Sequence, residues 1–264
     1  VIGYATRPIV AGEHVHVHNL GLRDDSLNAD RDYAFCADVK PDPKPAEAHF
    51  QGIVRPDGRV ATRNYIGVIS TVNCSASVAR FVAQEIERSG LLHDYPHIDG
   101  VIPLVHGGGC ALDLKGEGYD ILKRTQWGYA TNPNMAGVVM VGLGCEGFQI
   151  SRWKEAYGIT ESDMFRTMTI QEVGGTKKTV AAGVEAIKAM LPIANKATRE
   201  TVPASELMLA LQCGGSDGYS GISANPALGV AADLLVRHGG TAVLTETPEI
   251  YGAEHLLTRR AVSR

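Results

Sequence analysis

The chain has 264 residues, 44% hydrophobic and 20% charged, with a formal net charge of −4. That is enough chain for one large domain or two small ones, and too apolar for a disordered, solvating polymer. No stretch collects more than a few Lys or Arg, which argues against nucleic acid and anionic membrane as partners, and no apolar run reaches the ~18 residues of a membrane span.

Residues 1 to about 20 read as β. Gly3, Pro8 and Gly12 punctuate short apolar pieces that end in the alternating run Glu13-His-Val-His-Val-His-Asn19. Residues 21–49 are charged and then spaced by Pro41, Pro43 and Pro45, the composition of an extended connector. Beyond residue 50 a rhythm begins. Strands are expected at Asn64–Val72, Gly100–Val105, Gly137–Leu143, Met164–Ile170, Leu207–Leu211 and Thr241–Thr245. Helices are expected at Ser77–Ser89, 112–126, 147–157, Thr176–Ala197 (bent or ended by Pro192) and 224–238, with a last one at Ala253–Leu257. Alternation of this kind predicts an α/β fold: a mainly parallel sheet with helices on both faces, Rossmann-like and three-layered. Continuous apolar strands agree with a sheet covered on both sides. Both ends of the chain look cut, as in a fragment of a longer polypeptide.

In an open α/β sheet, ligands gather beyond the carboxyl ends of the strands. The residues there are Asn73-Cys74-Ser75, His106-Gly-Gly-Gly-Cys110, Gly142-Leu-Gly-Cys145-Glu146, Gln212-Cys213-Gly-Gly-Ser216-Asp217 and Thr245-Glu246. Any one cysteine at such a place can be a small packing residue. Four of the five, all but Cys36, at one predicted edge point to chemistry, since a thiol at a helix start ionises more readily. No Cys-x-x-Cys pair and no export leader are present, so the thiols are expected reduced and the protein cytoplasmic. Gly214, Gly215, Ser216, Ser220 and Asn225 belong to a glycine-rich loop leading into a helix, suited to a carboxylate or phosphate. Neither Gly-x-Gly-x-x-Gly nor a P-loop is present, which disfavours nucleotides.

His14, His16 and His18 alternate, so on a strand they share one side and two imidazoles can bind one divalent ion. A polar strand face is the plainer reading. His106, ahead of three glycines, suits a general acid or base. Glu146 and Asp217 suit acid–base work, metal ligation or helix capping. Arg55, Arg59 and Arg63 precede the first core strand and can clamp a carboxylate or make surface ion pairs.

At these residues the chain resembles the altronate dehydratase and galactarate dehydratase family of sugar-acid hydro-lyases. The matching pieces are Gly52-x-x-Arg55-x-Asp57-Gly58-x-Val60-x-Thr62-Arg63-Asn64, Val72-Asn73-Cys74, His106-x-x-Gly109-Cys110, Gly142-Leu-Gly-Cys145-Glu146 and Gln212-Cys213-Gly-Gly-Ser-Asp217-x-x-Ser220-Gly221-x-x-Ala224-Asn225-Pro226. The resemblance implies the end of a small SAF-type β domain over residues 1–29, a linker over 30–49 and the dehydratase core over 50–264, cut short at its C-terminus. It also implies removal of water from a polyhydroxy acid to give a 2-keto-3-deoxy acid, with Fe²⁺ or Mn²⁺ on His14, His16 and His18. His106, Cys145, Glu146, Cys213 and Asp217 would be catalytic; Arg63, Asn73, Gly214, Gly215, Ser216, Ser220 and Asn225 would hold the substrate, in a homo-oligomer. The histidine run looks more like the altronate enzymes, and Tyr95–Val101 more like the galactarate ones. Three rivals stand beside this reading: a sulfolactate sulfo-lyase large subunit, which normally carries its small β domain on a separate chain; an iron–sulfur hydro-lyase using the thiols; and a non-catalytic carboxylate-binding module.

Overall fold

A computed structural model describes residues 4–16, 18–21, 47–215, 217–250 and 253–261. The chain forms two units, Val1–Ala48 with Ala204–Arg264, and His49–Pro203. Cys36, Ser216 and the Pro-spaced connector lie outside the described residues.

In the first unit, β1 (Tyr4–Ala5) pairs antiparallel with β2 (Leu20–Gly21). The histidine run between them is not the strand its alternation predicts. Asn19, fully buried, accepts the His16 N–H at 2.9 Å and donates to the His14 carbonyl at 2.9 Å and to Glu13 Oε1 at 3.2 Å. Two backbone groups that a strand would offer to a neighbour are thereby taken by one side chain, and the run folds into a turn.

The second unit begins with β3 (His49–Val54) and β4 (Val60–Ala61), an antiparallel pair. Their connection turns at Asp57-Gly58, where Gly58 has φ +85° and its N–H donates to the Arg55 carbonyl at 2.9 Å. Then come β5 (Tyr65–Ser70), α1 (Asn73–Arg88), β6 (Gly100–Leu104), α2 (Glu117–Ala130), β7 (Met135–Gly142), α3 (Ile150–Tyr157) and β8 (Phe165–Thr169). The short α4 (Ile170–Val173) and the long α5 (Thr176–Ala194) lead to β9 (Glu200–Pro203), which returns antiparallel to β3. Pro192 sits in the last turn of α5 and the helix ends two residues later. Helix α2 starts later than its composition suggests. The Asp113 carboxylate accepts the Lys115 N–H at 3.0 Å, and this turn occupies the residues before Gly116.

Strands β6-β5-β7-β8 form one all-parallel sheet in that order. On one face Ile66, Val68, Val139 and Val141 pack with Val78, Val82 and Ile86 of α1 and Ile187, Met190 and Leu191 of α5. On the other, Ile69, Val138 and Met140 meet Tyr119 of α2, Phe148 of the loop before α3 and Trp153 of α3. Ile66 and Ile69 point to opposite faces and are 0% and 1% exposed; burying each such side chain stabilises by about 1.5–3 kcal/mol. The three-layer α/β expectation holds for this unit.

The remaining strands do not extend that sheet. In the first unit, β10 (Met208–Leu211) and β11 (Thr241–Leu244) pair with each other in parallel, joined through α6 (Ala224–Arg237), and α7 (Glu254–Thr258) follows. The six-stranded sheet expected from the strand rhythm is therefore a four-stranded sheet and a separate pair.

Candidate active site

The strand order sets where a ligand can bind in the second unit. From β5 the chain crosses to β6 through α1 on one face, and from β6 back past β5 to β7 through α2 on the other. Successive connections thus diverge between β5 and β7, a topological switch point, and a crevice opens beyond the carboxyl ends of those strands.

Glu146, only 2% exposed, lies among the loops beyond these strand ends. Its carboxyl oxygens accept the Thr71 hydroxyl at 2.7 Å, the Leu143 N–H at 3.1 Å and the Gly144 N–H at 2.6 Å. The loop after β5 is thereby tied to the loop after β7. The loop after β6 joins them, because the Asn73 N–H donates to the Gly108 carbonyl at 2.9 Å. Gly109 has φ +97°, and a Cβ there would lie 2.9 Å from the Thr71 carbonyl oxygen and 3.3 Å from His106 Cε1. Only glycine fits, in conformation and in space.

On this rim Asn73, Cys74, Cys110 and Cys145 are exposed. Three of the four cysteines predicted to share an edge do so. His106 is half-buried; its Nδ1 accepts the Gly108 N–H at 3.2 Å, which leaves the ring proton on Nε2. Helix α1 starts here with no side-chain cap and no acidic residue in its first turn, so its N-terminal dipole faces the crevice.

The arginines stand elsewhere. Arg55 donates to the Pro133 carbonyl at 2.7 Å and to Asn64 Oδ1 at 3.0 Å, and its partial burial lowers its pKa by desolvation. Arg59 pairs with Asp57 at 2.7 Å, and Arg63 with Asp99 at 3.0 Å. All three flank the amino ends of the strands, a strand length from the rim, or about 20 Å for six residues at ~3.3 Å each. Arg63 is not brought together with His106 or the thiols. The Thr62-Arg63-Asn64 motif has a structural occupation: buried Asn64 donates to the His97 carbonyl at 2.8 Å and the Ala194 carbonyl at 3.0 Å, pinning β5 to the end of α5.

In the other unit the loop after β10 meets the loop after β11. The Cys213 N–H donates to Glu246 Oε2 at 2.8 Å. Glu246, at φ 57°, is the one non-glycine with positive φ among the described residues, a strained backbone of the kind that gathers at functional sites. Asp217 shapes the glycine-rich loop: its Oδ1 accepts the Tyr219 and Ser220 N–H groups, each at 2.9 Å, and the Ser220 hydroxyl donates back to the Asp217 carbonyl at 2.8 Å. The Asn225 N–H donates to the Ser220 carbonyl at 2.8 Å, and Gly214 and Gly215 are exposed.

His14, His16 and His18 are all exposed. The first two stack, ring centroids 5.5 Å apart at 27°, and His18 Nε2 lies 3.9 Å from Glu13 Oε1. Stacked rings direct their nitrogen lone pairs sideways, not toward a shared point. Among the described residues no group of three or more His, Cys, Asp or Glu is placed to hold a metal ion. The described side chains therefore do not fit the expected centre, and no chemical step is derived through one.

Sequence reasoning missed Thr71, Gln126 and the role of Glu246. Gln126 was detectable: it continues the Tyr119, Leu122 series on the buried face of α2, where a polar residue needs partners.

The parallel α/β unit gathers glycines, thiols and His106 at its switch point, and the comparisons are specific. Residues 52–195 match the second domain of D-galactarate dehydratase/altronate hydrolase, and residues 204–264 match the C-terminal domain of D-galactarate/altronate dehydratase. The altronate dehydratase of Bacillus subtilis (strain 168) is 36% identical over 99% of this chain and 51% of its own length. The galactarate dehydratase (L-threo-forming) of Escherichia coli (strain K12) is 37% identical over 100% of this chain and 51% of its own. More distantly, the (2R)-sulfolactate sulfo-lyase subunit beta of Chromohalobacter salexigens is 32% identical over 81% of the chain and 50% of its own length. The chain belongs to the galactarate/altronate dehydratase family, and it spans about half the length of the curated relatives it matches. Among the described residues no helix is long and apolar enough to cross a membrane.

Proposed function

We propose that the protein is a sugar-acid dehydratase that removes water from a polyhydroxy carboxylate of the altronate or galactarate class and releases a 2-keto-3-deoxy acid. The observation that carries this reading is His106 on the switch-point rim, with Nδ1 engaged by its own loop and Nε2 carrying a proton.

The chemistry needs two transfers. A base takes the proton from the carbon bearing the carboxylate, and the neighbouring C–O bond breaks. The departing hydroxide takes a proton and leaves as water, and the enol then tautomerises to the keto acid. Neutral His106 is assigned as the Nε2–H hydrogen-bond donor that stabilises the departing hydroxide, which leaves as water with the proton the base took from the carbon. The uncapped start of α1 supports the substrate carboxylate, because its N–H groups and dipole favour an anion there. Glu146 is assigned to holding the crevice, since its oxygens already serve three donors.

The test is keto-acid release from altronate and galactarate by the full-length protein. His106→Asn is expected to lower kcat by about 10²–10⁴; a variant that turns over as fast as the parent would refute the assignment. The sulfo-lyase match supports a second reading, release of sulfite from a sulfonated hydroxy acid. Sulfite without keto acid from the sugar acids would replace the first reading with that one.

A further inference from the structure

Beside the rim, between the end of β6 and α2, lies a pocket of about 250 Å³ bounded by Leu104, His106, Leu122, Thr125, Gln126 and Tyr129. It is smaller than the ~300–1,000 Å³ sites that enclose whole drug-sized ligands, so it suits one end of a chain-like molecule. Its walls are mostly apolar, and the polar side chains on them are His106, Thr125, Gln126 and Tyr129.

Gln126 is 6% exposed, and its Nε2 donates to the Ser70 carbonyl at 2.8 Å. That bond fixes the orientation of the amide, since the flipped form would set two carbonyl oxygens against each other. Its Oε1 is buried without a hydrogen-bond partner among the described residues, and so is His106 Nε2. The Gly108 N–H on Nδ1 makes that Nε2 a donor. The two buried groups without a partner on this pocket are therefore one donor and one acceptor. A group that accepts from one and donates to the other satisfies both, and a hydroxyl does this with one oxygen atom. A carboxylate would leave the Gln126 oxygen facing a second acceptor.

We propose that this pocket receives a hydroxyl of a polyhydroxy acid, accepting from His106 Nε2–H and donating to Gln126 Oε1, and that Gln126 is a specificity-determining residue that selects hydroxylated over deoxy acids. The inference rests on the dehydratase reading and adds to it the residue that recognises the hydroxyl.

A wild-type titration tests it without any variant. In protein carrying ¹⁵N-histidine, the His106 Nε2 resonance is followed as galactarate, altronate or adipate is added; adipate has galactarate's carbon chain and both carboxylates but no hydroxyl. Galactarate or altronate is expected to shift the resonance and adipate to leave it in place. Gln126→Met, similar in length, is expected to weaken the sugar acid at least 10-fold, because a site built to bond a hydroxyl loses that discrimination. Thermal melting establishes that the variant is folded; if it is not, the wild-type titration decides. An equal shift with adipate, no shift with any of the three acids, or unchanged affinity in folded Gln126→Met overturns the proposal. Keto-acid release with no His106 shift removes this pocket and keeps the dehydratase. A hydroxyl-dependent shift without keto-acid release keeps the pocket and removes the dehydratase.

Discussion

Replacing Glu146 measures how much the crevice depends on one buried carboxyl group. It accepts three hydrogen bonds, from Thr71 Oγ1 at 2.7 Å, Leu143 N–H at 3.1 Å and Gly144 N–H at 2.6 Å. Bonds to an ionised group contribute about 1.5–3 kcal/mol each, and a buried donor left without a partner costs about 1–3 kcal/mol. Glu146→Ala strands two backbone donors and a hydroxyl. Because Glu146 also borders a cleft of about 560 Å³ with Lys154 and Thr169 on its walls, water can reach some of them, and the lower half of the range applies. The expected loss is about 3–5 kcal/mol. Glu146→Gln keeps one acceptor and turns an NH₂ toward the remaining donors, for about 1–3 kcal/mol. Urea unfolding followed by tryptophan fluorescence reads this cleanly, because both tryptophans of the chain, Trp127 and Trp153, belong to the same unit as Glu146. An alanine variant within 0.5 kcal/mol of the parent, a margin about the size of an ordinary surface substitution, would refute the anchoring role and return Glu146 to the list of acid–base candidates.

Three further outcomes are expected. Gly142→Ala places a Cβ 2.6 Å from Glu146 Oε1 and 3.3 Å from Thr71 Oγ1; a carboxyl held from three sides cannot step aside, and urea unfolding should show a loss of about 1–3 kcal/mol. Asn64→Ala strands the His97 and Ala194 carbonyls at the far end of the sheet; it should cost about 2–4 kcal/mol while leaving the kcat of the folded full-length protein unchanged, whereas a selective loss of kcat would place that motif in the chemistry. His16→Ala is expected to leave the metal content of the full-length protein unchanged, because the stacked His14 and His16 rings share no common point for an ion; loss of bound metal in that variant, read by elemental analysis, would restore the histidine site.

Local chemistry carried much of this in the sequence. The apolar stretches Tyr65–Ser70 and Met135–Gly142 are strands buried on both faces, and glycines at their ends mark tight turns, because dihedral limits and burial act on neighbours in the chain. Cys74, His106, Cys110 and Cys145 followed from the same logic: residues just past parallel strands share a rim whatever the strand order. Tertiary structure decided the rest. The run from His14 to His18 has a strand's period, yet buried Asn19 takes its backbone groups and bends it. The strands at 208–211 and 241–244 have the apolar pattern of the others, and only pairing shows that they join each other and not the four-stranded sheet. Glu146 reads as an acid–base, metal-ligating or capping group and Gln126 carries no reading of its own until the fold places one under three donors and the other with His106 on a shared pocket. Hydrogen bonding over such separations depends on which elements meet in space, and periodicity along the chain does not encode that.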